Sequence, residues 1–198
     1  MGTKSVTSES EKNNNNVIKE AVQWLLAIII AIVLALLIRG FVFEQALVVG
    51  DSMQDTLFDG QRLIVFKTGY FFSPPKRGDI VILKYQEGSF KYLPIPDPNE
   101  IDYIKRVIGV PGDEVDIRDG SVYINGEKLD EPYAKGITEP IAYGIEFPLV
   151  VPENKVFVLG DNRENSSDSR QIGLIDFERI KGKAVFRVYP FNVFGSIY

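Results

Sequence analysis

The chain has 198 residues, 22 basic and 27 acidic, with a net charge of −5 and no Lys/Arg-rich stripe, which argues against a nucleic-acid partner. It contains neither cysteine nor histidine. Disulfides, thiolate nucleophiles, His-ligated zinc and every Ser-His or Cys-His mechanism are therefore excluded, and any general base must be a carboxylate, a lysine or a tyrosine.

Residues 1–16, ending in the run Asn13 to Asn16, are polar and aperiodic and read as a disordered tail. Residues 17–39 read as a transmembrane helix. From Ala21 to Ile38 only Gln23 is polar and nothing is charged, and as a helix that stretch is about 27 Å long, close to one bilayer core. The RGFVFEQALVVG that follows lacks a small-x-small cleavage site, so a retained single-pass anchor is expected rather than a cleaved leader. Lys4, Lys12 and Lys19 precede the apolar stretch from Ala21 to Ile38 and Arg39 follows it, which favours a cytoplasmic N-terminus and puts residues 40–198 on the extracellular side of the plasma membrane.

Beyond the span, short apolar runs broken by turn residues predict a mainly β domain. Strands are expected at 63–66, 79–85, 103–110, 155–159 and 184–189, all rich in Val, Ile, Phe and Tyr. Residues 114–129 alternate apolar and polar around Asp119-Gly120 and Asn125-Gly126, two strong hairpin signals, and predict a three-stranded meander. Residues 175–182 suit one short helix capped by Asp176 and ended by Gly182. Residues 92–100 are expected to form an extended exposed loop, and neither they nor the Pro-rich stretch from Glu131 to Pro152 offers an obvious reactive group.

Three segments could carry hydrolytic chemistry without histidine. In VVGDSMQDTLFDG an apolar strand runs into Gly50 and Asp51 and presents Ser52 at a turn, where a serine serves either as a nucleophile or as a plain turn cap. In IDYIKRVIGVPGD strand alternation sets Lys105 in a row with Ile101, Tyr103 and Val107, while Ile104 and Ile108 make the other face apolar. A cation there must either reach the sheet rim or lose affinity for its proton, and only the second outcome yields a base. In VLGDNRENSSDSRQIG short polar side chains suit an internally bonded loop, with Asp168 paired to Arg170 or to Arg106. A calcium loop fits poorly because Arg163 and Ser166 occupy positions that need oxygen ligands or glycine, so no metal and no cofactor is expected.

The segments SMQDTL, RGDIVILKY, YIKRVIGVPGD and GDNRENSSDSR closely resemble, in order, the blocks that identify bacterial type I signal peptidases. The resemblance runs from the anchor almost to the C-terminus. It implies an antiparallel, partly open barrel-like catalytic domain with Ser52 as nucleophile and Lys105 as general base. It further implies that Ser166 orients the lysine amine, that Asp168 and Arg170 brace the site, and that Asp161 and Arg106 support it. The backbone N–H of Ser52 would hold the oxyanion together with a second donor, the Gly50 backbone N–H or a water, since Gly50 stands where some members supply a serine hydroxyl. The implied substrates are secretory preproteins with small residues at the first and third positions before the cut. Asp55 departs from the family's usual proline and puts a carboxylate where it could raise the pKa of Lys105. Phe41, Phe43, Phe71 and Phe72 are candidates either for resting on the lipid bilayer or for core packing, the commoner fate of phenylalanine.

Two other readings compete. One is a non-catalytic anchored β-domain on the same scaffold, with Asp55 as its support, and the other is a self-cleaving serine-lysine regulator, disfavoured by the anchor and the absence of a basic surface. Self-association is not legible in the sequence.

Overall fold

The computed structural model describes residues 4–86, 101–141 and 144–197. The loop expected at 92–100 lies outside the described residues, as do the side chains of Phe71 and Phe72. The chain divides into two compact units, Met1–Gly40 and Phe41–Tyr198.

The first unit holds one helix, α1 (Lys4–Leu37), and the start of a π-helical turn, Ile38–Val42, that crosses the unit boundary. Its part from Lys19 onward is long and apolar enough to cross a membrane. Trp24, Leu25, Ile30 and Leu36 are all more than half exposed, whereas the core helix of a soluble domain would bury such side chains. The helix reaches back over the polar segment expected to be disordered. Nucleation is the costly step, so residues added to an existing helix need little further stabilisation.

The second unit is built of antiparallel strands, as the alternation predicts. The larger sheet holds β1 (Phe43–Leu47), β2 (Arg62–Phe66), β3 (Ile80–Gln86) and β4 (Ile101–Gly109). The smaller contains β5 (Glu114–Arg118), β6 (Ser121–Ile124), β7 (Glu127–Lys128) and β8 (Leu149–Val150), in the order β7-β6-β5-β8. β9 (Lys155–Leu159), β10 (Ile175–Asp176), β11 (Ile180–Tyr189) and β12 (Gly195–Ser196) return to the larger sheet, whose order is β1-β2-β11-β3-β4-β9-β10 with β12 added to β11. Its end strands do not pair with each other among the described residues, so the barrel is not closed.

The expected meander turns at Asp119-Gly120 and Asn125-Gly126, where positive φ at all four residues fits hairpin turns that Asp, Asn and Gly tolerate. Residues 175–182 differ from expectation. The predicted helix is instead strand β10, a single 3-10 turn over Phe177–Arg179 and the start of β11. Ile175 pairs with Val156 and Ile180 with Leu83, so sheet pairing on both sides leaves room for one turn only. Asp176 makes no cap bond and pairs with Lys155 instead.

Three apolar clusters hold the unit together and fix β4 between them. Met53, Leu57, Leu63 and Ile80 form one, with Ile104 against it. Ile108 packs with Val115, Val122 and Phe157 in a second, and Val107 with Val81 and Leu83 in a third. Each fully buried aliphatic side chain contributes roughly 1.5–3 kcal/mol. β4 is thus covered on both faces, which is what keeps Lys105 dry.

Two short helices complete the unit, α2 (Gly69–Phe72) and α3 (Ser169–Ile172). Between β4 and β5, Asp113 accepts from the Val110 N–H at 2.8 Å, Arg77 Nη2 at 2.8 Å and Asn125 Nδ2 at 3.2 Å, joining the two sheets.

Candidate active site

Ser52 lies on the turn between β1 and β2, anchored by Met53 and Leu57, which are 1% and 0% exposed. A Leu57 N–H bond to the Met53 carbonyl closes this turn. Lys105 projects from the middle of β4 and is 3% exposed. Lys105 Nζ donates to Ser52 Oγ at 2.8 Å, its one hydrogen bond among the described residues, and lies 5.2 Å from the Tyr103 ring centroid. Of the two sequence alternatives for Lys105, the buried one holds.

Burial lowers the Lys105 pKa to about 8. Asp168 and Asp161 oppose that shift and Arg170 assists it. Tyr133, another conceivable base, is driven the other way, since burial and the neighbouring Glu131 raise its phenol well above the usual value.

The loop after β9 supplies the supporting charges. Asp161 is fully buried and binds Arg106 in a bidentate pair at 2.8 and 2.7 Å, and it also accepts from Thr56 Oγ1 at 2.5 Å. Asp168 settles on Arg170, with two bonds of 2.9 Å, and accepts from the Gly160 N–H at 3.1 Å while capping α3. The two aspartates near the amine are therefore each matched by a guanidinium.

Two expected roles are not met. The Gly50 N–H, one of the two expected oxyanion donors, is held by Asp59 Oδ1 at 2.8 Å, because the positive-φ turn at Gly50 brings that carboxylate onto it. The Ser52 N–H makes no hydrogen bond among the described residues. Ser166 Oγ is buried and unbonded among the described residues, so the orienting bond to Lys105 is not formed. Ser166 packs instead against Gly160, where a Cβ would fall inside contact distance of Ser166 Oγ and 2.5 Å from the Ser52 carbonyl oxygen. Asp55 points outward, 3.1 Å from Lys135 Nζ, and is not among the charges acting on Lys105.

The family model described as signal peptidase, peptidase S26 matches residues 21–189. The chain belongs to this family. Signal peptidase I of Bacillus licheniformis is 46% identical over 94% of this chain and 97% of its own length. Signal peptidase I T of Bacillus subtilis is 43% identical, covering 96% of each. Signal peptidase IB of Staphylococcus aureus is 36% identical over 89% of this chain and 93% of its own. The crystal structure of a signal peptidase I from Enterococcus faecalis is 33% identical, covers 55% of this chain and 95% of that one, and has a TM-score of 0.41. As a peptidase of this family the chain is a hydrolase, a serine endopeptidase.

Several residues beyond those predicted shape the site. Asn162 holds the Ser52 turn twice, through its N–H to the Ser52 carbonyl at 3.0 Å and Nδ2 to the Asp51 carbonyl at 3.1 Å. Arg163, 2% exposed, binds Glu131 at 2.6 and 3.0 Å, Thr138 at 2.7 Å and the Gly160 carbonyl at 2.9 Å. The Tyr133 ring lies beneath Arg106 at 4.0 Å. Asn162 and Arg163 sit inside the GDNRENSSDSR block, whose polar density was the available signal. Nothing local marks Glu131 or Tyr133 as their partners.

Proposed function

We propose that the chain is a membrane-anchored signal peptidase that removes signal peptides from exported preproteins, with Ser52 as nucleophile and Lys105 as general base. The single observation that carries this reading is the 2.8 Å contact between Ser52 Oγ and a buried amine whose pKa is brought down to about 8. At pH 7 a solvated lysine is neutral in only about one molecule in a few thousand, whereas at a pKa near 8 roughly a tenth are neutral. A base in that population at hydrogen-bond distance meets the requirement for general-base catalysis.

The neutral amine takes the Ser52 Oγ proton as Oγ attacks the scissile carbonyl carbon. The resulting oxyanion accepts from the Ser52 N–H, which has no other partner among the described residues. The ammonium then returns its proton to the departing amine of the mature protein, leaving an acyl-enzyme. Water attacks that ester while Nζ takes one of its protons, and the proton goes back to Ser52 Oγ as the signal peptide leaves with a carboxyl end. Arg106 and Arg170 neutralise Asp161 and Asp168, so two carboxylates near the amine do not pull its pKa back to the solvated value.

The preprotein binds extended beside the strands near Ser52 and Lys105, with main-chain bonds supplying affinity and shallow pockets selecting small residues. The apolar helix from Lys19 to Val42 anchors the enzyme in the same bilayer as the substrate's own apolar segment. Its basic N-terminal flank keeps the tail cytoplasmic and the peptidase unit outside. Phe41 and Phe43, both exposed, suit contact with the bilayer surface. The best support for a non-catalytic scaffold is Asp55, and the outward pairing of that residue with Lys135 weakens it.

Purified protein in detergent is expected to cut a preprotein after a small residue, and Ser52→Ala and Lys105→Ala each to abolish cutting in a folded domain. Cleavage retained in either variant would overturn the reading.

A further inference from the structure

Residues 131–138 come from the Pro-rich stretch in which the sequence shows no chemistry, yet they lie against the loop that holds the Ser52 turn. The buried pair Glu131–Arg163 and the Arg163 bond to Thr138 fix both ends of this segment. Between them, Lys135 forms a parallel backbone bridge with Asn162, its N–H donating to the Asp161 carbonyl at 2.7 Å and its carbonyl accepting from the Arg163 N–H at 2.8 Å. Asn162 is the residue that grips the carbonyls of Asp51 and Ser52 from one side of the turn.

The Lys135 side chain reaches the turn as well. Its Nζ lies 3.1 Å from Asp55 Oδ1 and 3.4 Å from Gln54 Oε1, and Gln54 Nε2 donates to Asp51 Oδ1 at 2.6 Å. A chain of polar contacts therefore runs Lys135–Gln54–Asp51 across the turn that carries Ser52. Exposed ion pairs contribute little when both partners must be ordered to form them. Here the Lys135 backbone is already clamped by two hydrogen bonds and Asp55 sits between the anchored Met53 and Leu57, so most of that ordering is in place before the pair forms.

We infer that Lys135 is a positioning residue of the active site, strapping Gln54 and Asp55 from outside while its bridge partner Asn162 holds Asp51 and Ser52 from inside. Lys135 touches neither Ser52 nor Lys105; it acts by narrowing the range of places Ser52 Oγ can occupy. That role rests on Ser52 being the nucleophile.

The test measures kcat, KM and melting temperature for preprotein cleavage by full-length enzyme in detergent, with Ser52→Ala as control. Lys135→Met keeps the stem and removes the charge. It is expected to lower kcat about two- to fivefold, the range an exposed pair can supply, with KM, melting temperature and the acidic limb of the pH profile unchanged. Lys135→Arg should restore kcat, and Lys135→Met should have no further effect in a chain already carrying Gln54→Ala and Asp55→Asn. Unchanged kcat in Lys135→Met, an equal loss in the doubly substituted background, or a loss that follows a lowered melting temperature would each overturn the strap. Activity persisting in Ser52→Ala would instead overturn the nucleophile assignment beneath it.

Discussion

Ser52 Oγ accepts a 2.8 Å hydrogen bond from Lys105 Nζ, although the two residues are 53 positions apart and β2, α2 and β3 lie between them in the chain. The turn bearing Ser52 is fixed by its buried neighbours Met53 and Leu57, and β4 is fixed by apolar clusters on both faces. The meeting of hydroxyl and amine is thus a product of core packing. The amine's depressed pKa has the same origin.

Replacing Lys105 with methionine should abolish cleavage and stabilise the fold. The folded pKa, about 8, lies below the unfolded value of 10.5, so the unfolded chain binds the proton more tightly. The penalty is fully present below about pH 8 and disappears as pH rises past the unfolded value. A shift of that size corresponds to roughly 3 kcal/mol. Thermal unfolding at pH 7 and at pH 10.5 checks this, with the advantage of Lys105→Met expected to be large at the first and nearly gone at the second.

Gly160→Ala should cost about a hundredfold or more in kcat, the order of loss expected when a nucleophile is displaced by about 1 Å. The added Cβ meets Ser166 and the Ser52 carbonyl oxygen, and the latter is backbone that cannot rotate away. Steady-state kinetics on a folded variant, with folding checked by circular dichroism, decides the matter.

Much of this site was legible before any coordinates. Alternation in IDYIKRVIGV put Lys105 in an apolar row with apolar residues on the other face, and the buried outcome follows from that pattern. The choice of Arg170 over Arg106 for Asp168 was not legible, because it depends on Arg106 being captured by Asp161 in a fold-dependent pair. The role expected of Gly50 failed for a similar reason, since Asp59 lies nine residues away and reaches Gly50 only once the turn has closed. The helix expected at 175–182 had a valid cap signal, but long-range pairing to Val156 and Leu83 outweighed it. Residues 131–138 carry no reactive pattern, and their importance arises wholly from contacts with a loop far along the chain.

Asp113→Asn should destabilise the peptidase unit by about 1–3 kcal/mol at pH 7, the range for losing hydrogen bonds to a charged group. Burial alone would raise the Asp113 pKa, but donors from Val110, Arg77 and Asn125 outweigh it and hold the carboxyl below its ordinary value. Its contribution is therefore present above about pH 4 and lost as pH falls through the lower folded value. Denaturant titrations should show the wild-type advantage over Asp113→Asn shrinking as the medium is acidified below that point.

The dependence of kcat/KM on pH for preprotein cleavage addresses the Ser52–Lys105 pairing most directly. The acidic limb should report an apparent pKa of about 8, the value that burial gives Lys105. A limb at the solvated lysine value near 10.4, or a profile with the same limb in Lys105→Met, would contradict the account.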